Sequence, residues 1–302
     1  DLYDFANDLF RPVRGGLGIA TVAANAVFAS VTGSSIASAS VFTKVAVPEM
    51  LRFGYGRRFA VGVVGGSAVL GMIIPPSVML IIYAVTTEQS VGAMFIAGIL
   101  PGLLLAAAYC VAIPLLHRFM PGFVGGPASG GAWPSLRRLA AGLATQLGPT
   151  AALVLIVLGG IYGGVLTPVE AGAVGTLAAV IIGLLKRRLE WRALWSALVE
   201  TGHITANILF LIIAASIYSR MLGIAGLPTL FGEWLASIDM SFVGLMFLYV
   251  ALLLALGTIL DTASIILIVV PLFLPALEPF NMSLVWFGIV TVVGAEIGLL
   301  TP

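Results

Sequence analysis

The sequence predicts an all-α polytopic membrane protein whose two halves each carry a re-entrant hairpin and a discontinuous helix, related as an inverted repeat. Three observations lead there. Of 302 residues, 60% are hydrophobic and 9% charged, with a mean hydropathy of +1.15, whereas soluble domains are about a quarter charged. Breaks rich in hydroxyls and glycine interrupt long apolar stretches at 30–37 and 257–264, and backbone breaks inside a bilayer only where something other than lipid satisfies it. Proline-containing breaks follow each of them at a similar distance, at 71–76 and 298–302.

In chain order, residues 1–14 are polar and carry Arg11 and Arg14. An apolar leg over 15–31 leads to the 32–35 break, and a second leg over 36–50 ends in the basic connector 52–58. At about 1.5 Å per residue neither leg comfortably crosses a hydrocarbon core of about 30 Å, so a re-entrant hairpin is expected. An apolar run over 59–74 stops at Pro75 and Pro76 and resumes over 77–85. Two prolines cannot sit mid-helix without losing a backbone bond, which predicts a discontinuous helix.

Spans are predicted over 92–116, 139–163 and 168–185, separated by the Gly/Pro-rich loop 121–134 and a short turn at 166–168. Residues 189–201 place Trp191, Leu194, Trp195 and Leu198 at helical spacing. An interfacial amphipathic helix is expected there, with an ordinary span entrance as the alternative. A span over 204–219, a mixed segment over 220–240 and a leg over 242–256 follow. The break at 261–264 opens a return leg ending at 275–278, and a last run over 284–297 reaches 298–302. Counting re-entrant pieces, the chain has room for eight or nine spans.

Lys and Arg gather at 11–14, 44–58, 118–138 and 186–192, and none follows Arg220. Excess Lys and Arg mark cytoplasmic loops. The first hairpin then enters from the cytoplasm and the second, by span counting, from the outer side. Sliding the sequence along itself superposes Pro48 on Pro275, Gly71 on Gly298, Pro75 on Pro302 and Ser35 on Thr262. The identities are few. The agreement of breaks, prolines and topology is what points to an inverted repeat and a secondary transporter.

Composition also excludes. The single Cys110 allows no disulfide framework or thiolate metal site within the chain and reads as a small buried hydrophobe. The net charge of +1 says nothing about nucleic acid, and no basic run with interleaved aromatics suggests it. Neither His117 nor His203 belongs to a metal-ligand or catalytic constellation. No phosphate loop or nucleophile elbow occurs, so neither an ATPase nor an enzyme is expected. The chain begins without Met or a signal peptide and stops after Thr301-Pro302; it is expected to be an internal piece of a larger protein.

At a hairpin tip, carbonyls and hydroxyls become hard oxygen ligands, and helix N-termini present unpaired N–H groups and partial positive charge. A monovalent cation and an anion can be held there together. The first cation site is expected at Thr32, Gly33, Ser34 and Ser35, completed by carbonyls around Gly71 and Pro75. The second is expected at Asp261, Thr262 and Ser264, completed by Gly298 and Thr301. Ser35, Thr262 and Pro76 are the candidate substrate contacts. Close helix packing by small residues is the competing explanation. Three carboxylates lie in or beside apolar runs, where a charge is costly. Asp261 adjoins the second site, Glu170 suits a helix first turn, and Glu296 either caps backbone at the second break or titrates.

Phe28-Ala-Ser-Val-Thr-Gly-Ser-Ser-Ile-Ala37, Gly71-Met-Ile-Ile-Pro-Pro-Ser77, Gly159-Gly-Ile-Tyr-Gly-Gly-Val-Leu-Thr-Pro-Val-Glu-Ala171 and Glu296-Ile-Gly-Leu-Leu-Thr-Pro302 resemble the large membrane subunit of TRAP transporters, the tripartite ATP-independent periplasmic carriers. The motifs spread over nearly the whole chain. The resemblance implies an elevator-type fold in the bacterial inner membrane. Residues 15–91 would form the first half of a transport domain, 92–240 scaffold and connecting helices, and 241–302 the second half, truncated at its C-terminus. It further implies Na⁺ as coupling ion with no other cofactor, an organic acid substrate such as a C4-dicarboxylate or sialic acid, a small membrane subunit and a periplasmic substrate-binding protein. The alternatives are a self-sufficient Na⁺- or H⁺-coupled symporter or antiporter of the same superfamily, and, from another class, a channel or structural membrane component.

Overall fold

The computed structural model describes residues 13, 15–125, 148–187, 189–237 and 240–301, and no strand occurs among them. The expectations for the first twelve residues, most of the 121–134 loop, 139–147 at the head of a span, and Pro302 lie outside the described residues. The chain divides into two compact units, residues 1–78 with 95–175, and residues 79–94 with 176–302.

In the first unit, α1 (Gly16–Thr32) and α2 (Ser35–Arg52) form a helical hairpin. The turn follows from its residues. Gly33 takes φ +58°, a left-handed conformation that suits glycine. Ser34 is extended and caps α2 by accepting from the Ala37 N–H at 3.3 Å. Ser35, Ser38, Phe42, Ala46 and Met50 form the buried stripe of α2 at helical spacing, and the Phe28 ring meets Phe42 edge-on at 5.7 Å. Packed on this hairpin, α3 (Arg57–Ala68) is interrupted at Val69 and resumes as α4 (Leu70–Ile73), whose four residues are all buried.

The helix stops where expected. Ile74 is extended ahead of Pro75, and the Pro75–Pro76 bond is cis. Proline lacks the N–H the helix would need and pushes the residue before it out of the α region. The Ser77 hydroxyl donates back across the break to the Met72 carbonyl, and α5 (Val78–Thr86) follows. The helix α6 (Val91–Phe119) runs through Pro101 and Pro114, and the short α7 (Pro121–Val124) accepts from the Gly56 N–H at the Val124 carbonyl, 2.9 Å away. Next come α8 (Gly148–Tyr162) and α9 (Pro168–Leu185).

In the second unit, residues 189–201 and 204–219 do not form separate elements. They belong to one 34-residue helix, α10 (Trp191–Ile224). The residues between them contain Gly202 and no proline, and a lone glycine costs a helix only about 1 kcal/mol. The mixed segment holds α11 (Leu227–Ser237), reached through Gly226 at φ +72°. The second hairpin is α12 (Phe242–Gly257) and α13 (Thr262–Leu277), the latter prolonged by a 3₁₀ turn over Glu278–Phe280. The last helix, α14 (Leu284–Leu300), starts at a Ser283 cap and continues through Gly298, so its expected interruption begins no earlier than Thr301.

Aromatic packing centres the second unit on Tyr249, whose ring lies 4.8 Å from Phe273 and 4.5 Å from Phe287. Helices α12 and α14 approach at glycine. A Cβ on Gly257 would sit 2.6 Å from the Gly298 Cα.

Four described helices are long and apolar enough to cross a membrane: Val91–Phe119, Pro168–Leu185, Trp191–Ile224 and Thr262–Phe280. The broken pair Arg57–Ile73 and Val78–Thr86, bent by 43°, meets the same length and composition only when taken together, as a broken span or a re-entrant loop, and Gly16–Phe28, Gly148–Tyr162, Phe242–Gly257 and Leu284–Leu300 are shorter apolar helices. Large apolar side chains such as Val169, Phe210 and Ile224 stand 84%, 71% and 91% exposed. Large apolar side chains exposed along helices this apolar belong in lipid or against other protein. The chain is a multi-pass membrane protein.

Candidate functional site

The first hairpin's tip packs against the helix break. A Cβ on Gly33 would fall 2.6 Å from the Pro76 carbonyl oxygen, and one on Gly71 would fall 2.9 Å from the Ser34 carbonyl oxygen and 3.2 Å from the Ser35 nitrogen. Gly33, Ser34, Ser35, Gly71 and Pro76 of the expected set are therefore neighbours. Pro75 is buried beside them in the sequence. Thr32 closes α1, its hydroxyl donating to the Phe28 carbonyl at 3.1 Å. Ser35 is 6% exposed, and its Oγ has no hydrogen-bond partner. A buried hydroxyl in that condition costs free energy unless a ligand or water satisfies it. The tip also sits at the N-terminus of α2, where backbone N–H groups add partial positive charge.

The second tip is built differently. Asp261 is exposed and caps α13, accepting from the Ser264 N–H at 3.2 Å and from the Ser264 hydroxyl. Thr262 turns inward, 3% exposed, and donates its hydroxyl hydrogen to the Glu296 carboxylate at 2.7 Å. Gly298 lies against the first leg, a Cβ there reaching 2.8 Å from the Leu253 carbonyl oxygen and 2.9 Å from the Gly257 Cα. Thr301 ends α14 with its hydroxyl donating to the Ile297 carbonyl at 2.9 Å. Asp261, Thr262 and Ser264 are thus together at the tip, and the bond to Glu296 is what ties them to α14. The sequence weighed Glu296 as a backbone cap or a titrating group and missed this side-chain partner.

A second buried polar pair was also missed. The Asn25 Nδ2 donates to the Ser67 Oγ at 2.7 Å, joining α1 to α3 with both residues at or below 1% exposure. Asn25 is the one carboxamide in its apolar leg, and that was the available signal. No group of three or more His, Cys, Asp or Glu that could hold a metal occurs among the described residues.

A sequence profile of the family described as "Tripartite ATP-independent periplasmic transporter, DctM component" matches residues 1–302. The chain belongs to this TRAP large-permease family. It is 35% identical to a C4-dicarboxylate TRAP transporter large permease of Pseudomonas aeruginosa, covering all of this chain and 69% of that protein. It is 29% identical to a sialic acid TRAP transporter large permease of Vibrio cholerae, again over the whole chain and 69% of the relative. An isethionate TRAP transporter permease of Oleidesulfovibrio alaskensis is 29% identical over the whole chain and 47% of its own length.

Of the four motifs that resemble TRAP large permeases, the first two are the ones that meet at the first tip. The fourth carries Glu296 and its bond to the second. The third forms the turn between α8 and α9. There Gly164, at φ +68°, closes α8, with Val165 N–H donating to the Gly160 carbonyl at 3.0 Å and Gly164 N–H to the Ile161 carbonyl at 3.1 Å. Thr167 then caps α9 ahead of Pro168. Its N–H and hydroxyl donate to the Glu170 carboxylate at 2.8 and 2.9 Å, and the Glu170 N–H donates back to the Thr167 hydroxyl at 3.3 Å. This is a capping box with proline at the first helical position, so Glu170 has the structural role its place at a helix start implied.

Proposed function

We propose that this TRAP large permease imports an organic acid, a C4-dicarboxylate, sialic acid or related carboxylate, across the bacterial inner membrane in symport with Na⁺. The observation that carries the reading is the first tip. There a capped helix N-terminus, a left-handed glycine, a buried unpartnered serine hydroxyl and a proline-stopped helix converge in an apolar protein. Thr32, Gly33, Ser34 and Ser35 with carbonyls around Gly71 and Pro75 bind one Na⁺. Asp261, Thr262 and Ser264, with Gly298 and Thr301, bind another. Ser35, Pro76 and Thr262 contact the substrate carboxylate. The two hairpins are re-entrant, and with the broken helices they form a transport domain that slides against a scaffold as an elevator. Substrate arrives on a periplasmic binding protein, and a small membrane subunit enlarges the scaffold. The name of the Pseudomonas relative supports dicarboxylates, and that of the Vibrio relative supports sialic acid.

The test is the thermal stability of the full-length protein with its small subunit, titrated with Na⁺ against K⁺ at constant ionic strength. A ligand that binds only the folded state raises stability in proportion to ln(1 + [L]/Kd). The expected result is a saturable, Na⁺-specific rise, diminished by Ser34→Ala and by Thr262→Ala. An absence of any specific rise would overturn sodium coupling and favour a proton-driven carrier.

A further inference from the structure

We propose that Glu296 is the positioning residue of the second cation site, fixing the Thr262 hydroxyl as a pure acceptor and setting the affinity of that tip; the inference rests on the tips being Na⁺ sites. A threonine hydroxyl has one hydrogen and two acceptor lone pairs. Elsewhere in these apolar helices the hydrogen goes to a carbonyl one turn back, as at Thr32, Thr291 and Thr301. Thr262 is the first residue of α13, so no carbonyl of its own helix lies one turn back. Its hydrogen crosses to Glu296 on α14 at 2.7 Å, between residues 3% and 1% exposed. With the hydrogen committed there, only oxygen lone pairs remain for anything else at the tip, which is the state a cation ligand requires.

The carboxylate adds a second effect. An ionised group at 1% exposure is costly unless opposite charge and hydrogen bonds hold it. The Thr262 hydroxyl and the N-terminal end of α13 supply part of this, and a cation coordinated at Thr262 supplies more. Cation and carboxylate therefore stabilise one another.

The first tip lacks the device. The superposition that places Ser35 on Thr262 places Val69 on Glu296. Val69 is buried at 2%, and the Ser35 Oγ has no partner. The two tips are thus inequivalent, a neutral one and one carrying a carboxylate.

The experiment is a Na⁺ titration of melting temperature and of uptake rate for the full-length protein with its small subunit, comparing wild type, Glu296→Gln, Glu296→Asp and Thr262→Val. The Gln variant keeps an oxygen that accepts from Thr262 and removes only the charge. The expected result is a Na⁺ concentration for half-maximal effect raised at least tenfold in Glu296→Gln, with the uptake rate at saturating Na⁺ retained. Glu296→Asp should fall in between, and Thr262→Val, which removes the hydroxyl itself, should raise the half-maximal concentration as well. A half-maximal concentration unchanged in both Glu296→Gln, which tests the charge, and Glu296→Asp, which tests the reach to Thr262, overturns the role of Glu296 while leaving sodium coupling standing. A wild type without a Na⁺-specific rise overturns the sodium reading, and this proposal with it. Should Glu296→Gln fail to fold, Glu296→Asp decides, and a half-maximal concentration equal to wild type counts against the proposal.

Discussion

The backbone of Gly33 lies so close to Pro76 that a single added carbon would stand 2.6 Å from the Pro76 carbonyl oxygen. The contact leaves no room for a side chain between hairpin tip and helix break. Gly33→Ala should therefore be disabling. The residue would have to hold φ +58°, at a cost on the order of 1 kcal/mol or more for a non-glycine residue, and also push back a backbone carbonyl that has no rotamer to adjust. The expected outcome is a lower melting temperature in K⁺ together with loss of the Na⁺-specific increment, read in the same titration.

Ser35→Ala separates ligand binding from folding. Because the Ser35 Oγ is buried without a partner, removing it takes away an unsatisfied polar group, which is neutral or stabilising in the absence of ligand. The melting temperature in K⁺ should stay level or rise while the increment produced by Na⁺ shrinks. A fall in K⁺ equal to the fall in Na⁺ would show that the hydroxyl serves only the fold.

Tyr249 and Thr291 should respond asymmetrically. The Thr291 hydroxyl donates to the Phe287 carbonyl at 2.8 Å, so in the 2.8 Å bond between the two side chains Tyr249 is the donor. Tyr249→Phe removes one bond and leaves Thr291 satisfied, a loss of about 0.5–1.5 kcal/mol. Thr291→Val strands the Tyr249 hydroxyl at 0% exposure and should cost about 1–3 kcal/mol. Chemical denaturation of the two single variants checks the order.

Gly298→Ala tests the packing of α14 on α12. Its Cβ would approach the Leu253 carbonyl oxygen at 2.8 Å and the Gly257 Cα at 2.9 Å, and both are backbone atoms. Overpacking of this kind typically costs about 1–3 kcal/mol. The expected result is a lower melting temperature in K⁺ together with a reduced Na⁺ increment, since Gly298 also belongs to the second proposed cation site. A lower melting temperature with an unreduced Na⁺ increment would leave Gly298 a packing residue and remove it from the cation site.

Most helices were legible because the bilayer restricts what an apolar chain can do. Where no water is present to satisfy backbone, apolar runs become helices, and Gly, Ser and Pro clusters mark the places where they stop. The breaks at Gly33 and Pro75–Pro76, the cap at Asp261, and α9 over Pro168–Leu185 follow from local rules of backbone geometry. The continuous α10 matches the alternative reading of 189–201 as a span entrance; its amphipathic spacing alone also fits a separate interfacial helix, and only the unbroken helix through Gly202 joins it to the next span.

The sequence by itself determined the class of the protein, the order of its helices, the two interrupted hairpins and, through four motifs, its family. These depend on composition and on residues near one another in the chain. Tertiary structure alone decided that Gly33 meets Pro76, that Asn25 donates to Ser67 and that Thr262 donates to Glu296. Each of those contacts joins residues more than thirty positions apart. Hydropathy shows that a buried polar side chain needs a partner; which partner it finds depends on how the helices pack.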